Sequence, residues 1–91
     1  MQYNYISDEE LFLIKERCEK TTKGPWVSYI EGRDHFSGSN FIMTGDENNR
    51  GEDIELIGAT IEDQEFIAHA KQDIPRLINE IERLKKLIKN T

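Results

Sequence analysis

The sequence is poor in the residues that build disulfide frameworks, metal sites and membrane spans. It holds one cysteine, Cys18, and two histidines among 91 residues. A single cysteine excludes an intrachain disulfide, and two dispersed histidines lack the ligand spacing of a zinc site. No apolar run approaches the roughly 18 residues that a membrane span needs, and the first residues do not resemble a signal peptide. We therefore expect a cytoplasmic protein with no disulfide, metal, cofactor or membrane contact.

Basic side chains are also scarce. Twelve lysines and arginines stand against 18 acidic residues, for a net charge of -6. Residues 45–75 carry nine acids and two bases, whereas residues 76–91 carry two acids and five bases. Binding to a phosphate backbone gains its free energy from lysine and arginine displacing counterions, so this balance argues against a general DNA or RNA binder. The basic tail is the usual complement to the C-terminal end of a helix.

The length predicts a single domain over residues 1–91, and the patterning predicts an α+β fold. Ser7 and Glu10 form a capping box, which predicts an N-terminal helix over residues 8–21. Three short runs rich in apolar and β-branched residues follow, at residues 26–31, 41–44 and 54–57. Gly-containing connections separate them, so we predict a three-stranded antiparallel meander.

Two further helices are predicted after the meander. Thr60 and Asp63 mark the start of a short helix that buries Phe66, Ile67 and Ala70. Pro75 then separates it from a long amphipathic helix that runs to about residue 89, because proline is tolerated in the first turn of a helix.

The long helix carries an apolar seam at alternating spacings of three and four residues, beginning at Ile74. This spacing is typical of helices that pack on one another. A chain of this length buries only about 60 to 65% of its surface, so burial between subunits would add stability. We expect a homo-oligomer, although packing of the seam on the chain's own sheet is an equal alternative. The predicted interface residues are Leu77, Ile81, Leu84 and Ile88.

Residues 32–40 are the most unusual stretch, because glycines, hydroxyls, one guanidinium and one imidazole lie between two predicted strands. Such a loop could hold a phosphate through backbone N–H groups, serine hydroxyls and Arg33, with an aromatic side chain stacked on a base. A solvated hairpin loop with a local Arg33–Asp34 pair is the alternative. The candidate ligand-binding residues are Trp26, Arg33, Asp34, His35, Phe36, Ser37, Ser39 and Asn40.

Two other chemistries fit the pattern poorly. Asp34, His35 and Ser37 are the residue types of a nucleophilic triad, but they are nearly adjacent in one short segment, which does not suit triad geometry. Residues 46–57 begin like a calcium loop, yet Ile57 stands where a bidentate glutamate is needed. We therefore expect no catalytic residue and no metal site.

Two segments of the sequence are familiar together. One is TKGPW at residues 22–26, and the other is DQEFIAHA at residues 63–70, which leads into IPRLI and EIERL. They resemble the small Ead-like proteins of phages and prophages, in which a T-x-G-P-W turn follows a helix and a D-x-x-F-I-A-x-A helix precedes a leucine-rich one. The resemblance implies an accessory phage protein that works in the cytoplasm of the bacterial host.

Two functions follow as hypotheses. The first is a non-enzymatic, homo-oligomeric protein that acts against host defence by sequestering a phosphate-bearing small molecule of nucleotide type in the loop at residues 32–40. The second is an acidic protein-interaction module that binds and modulates a host protein through the acidic residues 45–75.

Overall fold

The computed structural model describes residues 5–36 and 38–89, which form two helices and one two-stranded antiparallel sheet. The elements in chain order are α1 (Asp8–Lys20), β1 (Trp26–Tyr29), β2 (Phe41–Thr44) and α2 (Ile61–Lys89). The predicted α+β class is confirmed. The chain divides into two compact units, which we call the helical unit (residues 1–21 and 74–91) and the sheet unit (residues 22–73).

Helix α1 begins at the predicted capping box. The Ser7 hydroxyl accepts the Glu10 N–H at 3.0 Å, and the Glu10 carboxylate accepts the Ser7 N–H at 3.2 Å. These two bonds satisfy N–H groups that the first turn of a helix leaves without partners. The helix ends at Lys20, one residue before the predicted end, where Thr21 takes an extended conformation.

Strands β1 and β2 pair in an antiparallel register that sets Trp26 opposite Thr44 and Tyr29 opposite Phe41. A Gly24–Pro25 peptide bond in the cis form precedes β1. In β2, Ile42 and Thr44 are fully buried, and they alternate with half-buried neighbours as one face of a sheet requires.

The predicted third strand is present only as a single bridge. Ile54 exchanges two backbone hydrogen bonds with Ile42, at 2.8 and 2.9 Å. The chain then turns away, with Gly58 in the left-handed region and Ile57 fully exposed. The meander is therefore confirmed for two strands, and residues 55–57 do not extend it because they leave the sheet after one pair.

Helix α2 is one continuous helix of 29 residues with Pro75 inside it. The prediction of a short helix and a separate long one is wrong. An interior proline lacks an N–H donor and usually costs about 3 kcal/mol, so other contacts must support the helix there. The burial pattern continues at helical spacing through the proline. Gln64, Ala68, Gln72, Pro75 and Ile78 are among the buried or half-buried positions of the helix.

In the sheet unit, two glutamines of α2 bind the strand backbone. The Gln64 amide is buried and donates to the carbonyl oxygens of Tyr29, at 3.2 Å, and Phe41, at 3.1 Å. The Gln72 amide forms two hydrogen bonds with the backbone of Trp26. These amides satisfy backbone groups that would otherwise be costly to remove from water.

The helical unit pairs α1 with the C-terminal part of α2. Lys15 lies 3.4 Å from Glu82, and Lys85 near the end of α2 bonds to Asp8 at the start of α1. The two helices are therefore antiparallel. The Lys85 ammonium also lowers the pKa of Asp8, mainly through its hydrogen bond to the carboxylate. The buried apolar side chain of α1 is Leu11.

Neither described helix has the length and apolar character that crossing a membrane requires.

Candidate functional site

The loop that follows β1 is a tight turn held by its own backbone. The N–H groups of Arg33 and Asp34 both donate to the Ile30 carbonyl, at 3.1 and 2.8 Å, and the Gly32 N–H donates to the His35 carbonyl at 2.8 Å. The Asp34 carboxylate accepts the Ile30 N–H at 2.8 Å. The turn therefore fixes Arg33 and Asp34 beside each other at the end of β1.

Arg33 is bound by two carboxylates of its own chain. Its guanidinium lies 2.8 Å from the Asp34 carboxylate and also pairs with Glu65 of α2. The hydrogen bond from Arg33 lowers the pKa of Asp34, and the bonds to both carboxylates raise the pKa of Arg33. The local Arg33–Asp34 pair of the hairpin alternative is thus present, and a third charge joins it from the helix.

The other loop donors also face carboxylates. The Gly38 N–H donates to Glu31 at 2.7 Å, and the Ser39 hydroxyl lies 3.5 Å from Glu55. The Asn40 side chain instead accepts the Glu31 N–H at 2.7 Å, which ties the two ends of the loop together. Ser37, another candidate ligand residue, lies outside the described residues.

His35 belongs to a small aromatic cluster. Its ring centroid lies 5.0 Å from that of Phe41 and 6.3 Å from that of Tyr29, and its side chain is largely buried. Its Nδ1 atom is 3.4 Å from the Glu31 carboxylate. Phe36 next to it is 86% exposed. His35 therefore packs under the loop, whereas Phe36 is open to solvent.

Trp26 is not brought together with the loop. It pairs with Thr44 at the end of the sheet away from Tyr29 and Phe41, the residues that flank the loop. Its indole N–H donates to the Thr22 carbonyl at 3.0 Å, and the Lys71 ammonium lies 5.6 Å from the ring centroid. The structure thus groups the candidate residues of the loop and leaves Trp26 apart from them.

Sequence reasoning missed an apolar groove of about 540 Å³ in the sheet unit. Its lining combines the segment after the Ile54 bridge with the first turns of α2. The lining residues are Glu55, Leu56, Ile57, Gly58, Ala59, Asp63, Phe66 and Ile67. The two carboxylates are the charged side chains of this lining.

Phe66 and Ile67 were expected on the buried face of a helix, and that prediction is wrong. Phe66 is 74% exposed, and Ile67 is also exposed, while Gln64 and Ala68 are buried instead. The amide of Gln64 satisfies strand carbonyls, so the polar residue faces the sheet and the phenylalanine faces solvent. The repeat of Gln64, Ala68 and Gln72 every four residues is the sequence signal that could have indicated this face.

The predicted interface residues lie on the C-terminal part of α2. Leu77, Leu84 and Ile88 are exposed, and Ile81 is half-buried. Three of the four predicted interface residues are therefore exposed.

The described residues contain no group of three or more His, Cys, Asp or Glu side chains arranged to hold a metal ion. The segment that begins like a calcium loop starts with an Asx turn. The Asp46 carboxylate accepts the N–H groups of Asn48 and Asn49, at 2.9 and 2.8 Å.

Comparison of the chain with protein-family models, curated proteins and solved structures gives no match.

Proposed function

We propose that this protein is a non-enzymatic interaction module that binds a basic protein of a bacterial host through the groove of the sheet unit. The observation that carries the proposal is the exposure of Phe66 beside Ile57 in a groove whose charged residues are both acidic. The resemblance to Ead-like phage proteins suggests the setting, an accessory phage protein in the host cytoplasm.

The apolar part of the groove supplies the affinity. Burying a side chain of the size of phenylalanine or isoleucine contributes about 1.5 to 3 kcal/mol. Aromatic side chains are frequent among the few residues that dominate the binding free energy of an interface. Phe66 is largely exposed and Ile57 is fully exposed, so both side chains are available for a partner to bury.

The charge of the sheet unit selects the partner. Residues 45–75 carry nine acids against two bases, and Glu55 and Asp63 line the groove itself. A surface of this sign attracts a partner with lysine or arginine around an apolar side chain and repels an acidic one. Binding should therefore weaken as salt screens these charges.

A random-peptide library selected on the immobilised chain tests the proposal. We expect the retained peptides to be rich in lysine or arginine next to leucine, isoleucine or phenylalanine. The affinity of the strongest peptide is measured by fluorescence anisotropy, and it should be at least about 10-fold weaker for Phe66→Ala. The affinity for the wild type should also fall as the salt concentration rises from about 50 to about 300 mM, a range that includes physiological ionic strength.

Phe36→Ala is the matched control, because Phe36 is an exposed phenylalanine of the same unit that does not line the groove. It should leave the affinity unchanged. Selection of acidic peptides, no selection at all, or equal binding to Phe66→Ala would contradict the proposal.

We also propose a second candidate function, the sequestration of a phosphate-bearing small molecule by the loop at residues 32–40. The observation in its favour is that Arg33, the Gly38 N–H and the Ser39 hydroxyl each face a carboxylate. Groups that donate to carboxylate oxygens can donate to phosphate oxygens in their place. An anionic ligand would replace these carboxylates as the acceptor when it binds.

A thermal-shift panel of linear and cyclic nucleotides tests the second candidate. A ligand of the folded state raises the melting temperature by mass action. Glu65→Gln should enlarge the shift because it removes one competitor for Arg33, and Arg33→Ala should abolish it. Arg50→Ala is the matched control, since Arg50 is a similarly exposed arginine that pairs with Asp53 in the other connection. A flat response of the wild type and of Glu65→Gln would exclude this function.

A further inference from the structure

The helical unit leaves most of its apolar side chains uncovered. Leu77 is 61% exposed and Ile88 is 73% exposed, and Leu84, Leu87 and Phe12 are exposed as well. Its buried apolar residues among the described positions are Leu11 and Ile78. An apolar surface of this extent is characteristic of a site of association.

The face of α2 that meets α1 is different from its apolar seam. Glu82 and Lys85 pair with α1, and Ile78 on the same side is buried. The seam consists of Ile74, Leu77, Ile81, Leu84 and Ile88, at alternating spacings of three and four residues. Ile81 of the seam is half-buried, and the other four seam residues are exposed, so the seam presents apolar side chains to another helix.

The length and spacing of the seam fit a helix of the same kind. Fifteen residues rise about 21 Å from the first to the last, at 1.5 Å per residue. Alternating spacings of three and four residues bring apolar side chains into the gaps of a facing helix that crosses at a shallow angle. A second copy of α2 offers the same seam, and a two-fold axis makes the two surfaces complementary.

Charge selects the orientation of the two copies. Residues 74–81 carry one base and one acid, whereas residues 82–89 carry four bases and one acid. A parallel arrangement would place both basic segments side by side. An antiparallel arrangement places each basic segment beside the neutral segment of the other copy, which reduces like-charge repulsion.

We propose that two copies of this chain associate through the α2 seam in an antiparallel arrangement, with Ile81 nearest the two-fold axis. The paired helical units then form a four-helix arrangement, with one α1 and one α2 from each copy. The seam shares no residue with the lining of the groove in the sheet unit, so variants of the two can be tested independently.

Light scattering coupled to size exclusion tests the seam. The wild-type mass should be twice the 10.6 kDa of one chain, and Leu84→Glu should halve it while the helical circular dichroism is kept. Leu13→Glu is the matched control, because Leu13 on α1 is 43% exposed and Leu84 is 45% exposed. A monomeric wild type, a dimeric Leu84→Glu or a monomeric Leu13→Glu would overturn the proposal.

Cysteine cross-linking tests the orientation without a disruptive charge. In a Cys18→Ser background, Ile81→Cys should form a disulfide-linked dimer on mild oxidation, because the two copies of this position meet at the axis. Ile88→Cys should remain largely unlinked, since the antiparallel arrangement separates its copies. Equal cross-linking of both variants would show a parallel pair, and no cross-linking of Ile81→Cys would show that the seam is not the interface.

Discussion

The side-chain amide of Gln72 pairs with both backbone polar groups of Trp26. Its Oε1 atom accepts the Trp26 N–H at 2.8 Å, and its Nε2 atom donates to the Trp26 carbonyl at 3.2 Å. Nε2 also donates to the Ala68 carbonyl one turn earlier, at 3.1 Å. The amide thus binds the first residue of β1 in the way that a neighbouring strand would.

We expect Gln72→Met to destabilise the protein by about 1 to 3 kcal/mol, because a neutral hydrogen bond contributes roughly 0.5 to 1.5 kcal/mol and two bonds to Trp26 are lost. Methionine and glutamine have similar helix propensities, so α2 itself is little affected. Urea denaturation measures the change. Asn79→Met, at an exposed position of the same helix, should leave stability nearly unchanged. Equal midpoints for the two variants would show that the Gln72 amide contributes nothing.

The contacts of Gln64 predict that the stability of a Gln64→Glu variant depends on pH. Its Nε2 atom faces three acceptors, the Ser28 hydroxyl and the carbonyls of Tyr29 and Phe41. In Gln64→Glu, an ionised carboxylate would face these oxygens, so burial and repulsion should raise the pKa of the introduced group in the folded state. The variant should therefore be most stable near pH 4 and lose stability as pH rises toward 7.

Urea midpoints of Gln64→Glu between pH 4 and pH 8, each relative to the wild type, measure this dependence. Gln64→Leu is the control, since it removes the same donor and introduces no titrating group. Its destabilisation, about 1 to 3 kcal/mol for carbonyls left without a donor, should be constant with pH. A pH-independent Gln64→Glu would contradict the assigned contacts.

The sequence predicts the elements that local interactions determine. The capping box at Ser7 and Glu10 marks the start of α1, and the apolar runs locate β1 and β2 because their residue types favour strands over a few positions. The end of α2 also agrees with the predicted end near residue 89. These features depend on neighbours in the chain, so a single sequence contains the information for them.

The sequence-based predictions that are wrong fail because tertiary contacts override local patterns. Hydrophobic periodicity assigns Phe66 to the core, but the buried side of α2 is lined there by Gln64, whose amide satisfies strand carbonyls. The break predicted at Pro75 does not occur, because burial continues on both sides of it. In the same way, local sequence shows that Arg33 can pair with Asp34 but gives no indication of Glu65, 32 residues away.

Gly45 and Gly58 differ in surroundings and share a backbone conformation. Their φ angles are 80° and 82°, in the left-handed region. A Cβ atom at Gly45 would overlap the carbonyl of Asn49, whereas a Cβ atom at Gly58 would meet open space. Gly58→Ala should cost about 1 to 2 kcal/mol from conformation alone. Gly45→Ala should cost clearly more, because the clash is with backbone.

Thermal and urea denaturation of the two alanine variants, side by side, measure the difference. Because the φ angles match, the additional loss of stability in Gly45→Ala measures the clash with the Asn49 carbonyl and not the cost of the backbone conformation. Equal destabilisation would show that this connection yields to an added methyl group.

Asp34 should stabilise the folded state near neutral pH, and this contribution should be lost at low pH. Its carboxylate accepts the Arg33 Nε–H at 2.9 Å and the Ile30 N–H at 2.8 Å, and these bonds lower its pKa in the folded state. A carboxyl group with a lowered pKa stabilises the folded state at pH values above its unfolded pKa, about 3.9. The contribution is lost progressively as pH falls below that value and through the lower folded pKa.

The stability difference between wild type and Asp34→Asn should therefore be constant between pH 5 and pH 7 and shrink below about pH 3.9. Urea denaturation across this range measures the difference, and a carbon-detected NMR titration of the Asp34 carboxyl locates its folded pKa directly. Arg33→Ala should move that titration upward, since the largest cause of the lowered pKa is the Arg33 hydrogen bond. A carboxyl that titrates at the ordinary aspartate value in the wild type would mean that Arg33 does not hold Asp34 in solution, and the loop would then lack the ion pair that competes with an anionic ligand.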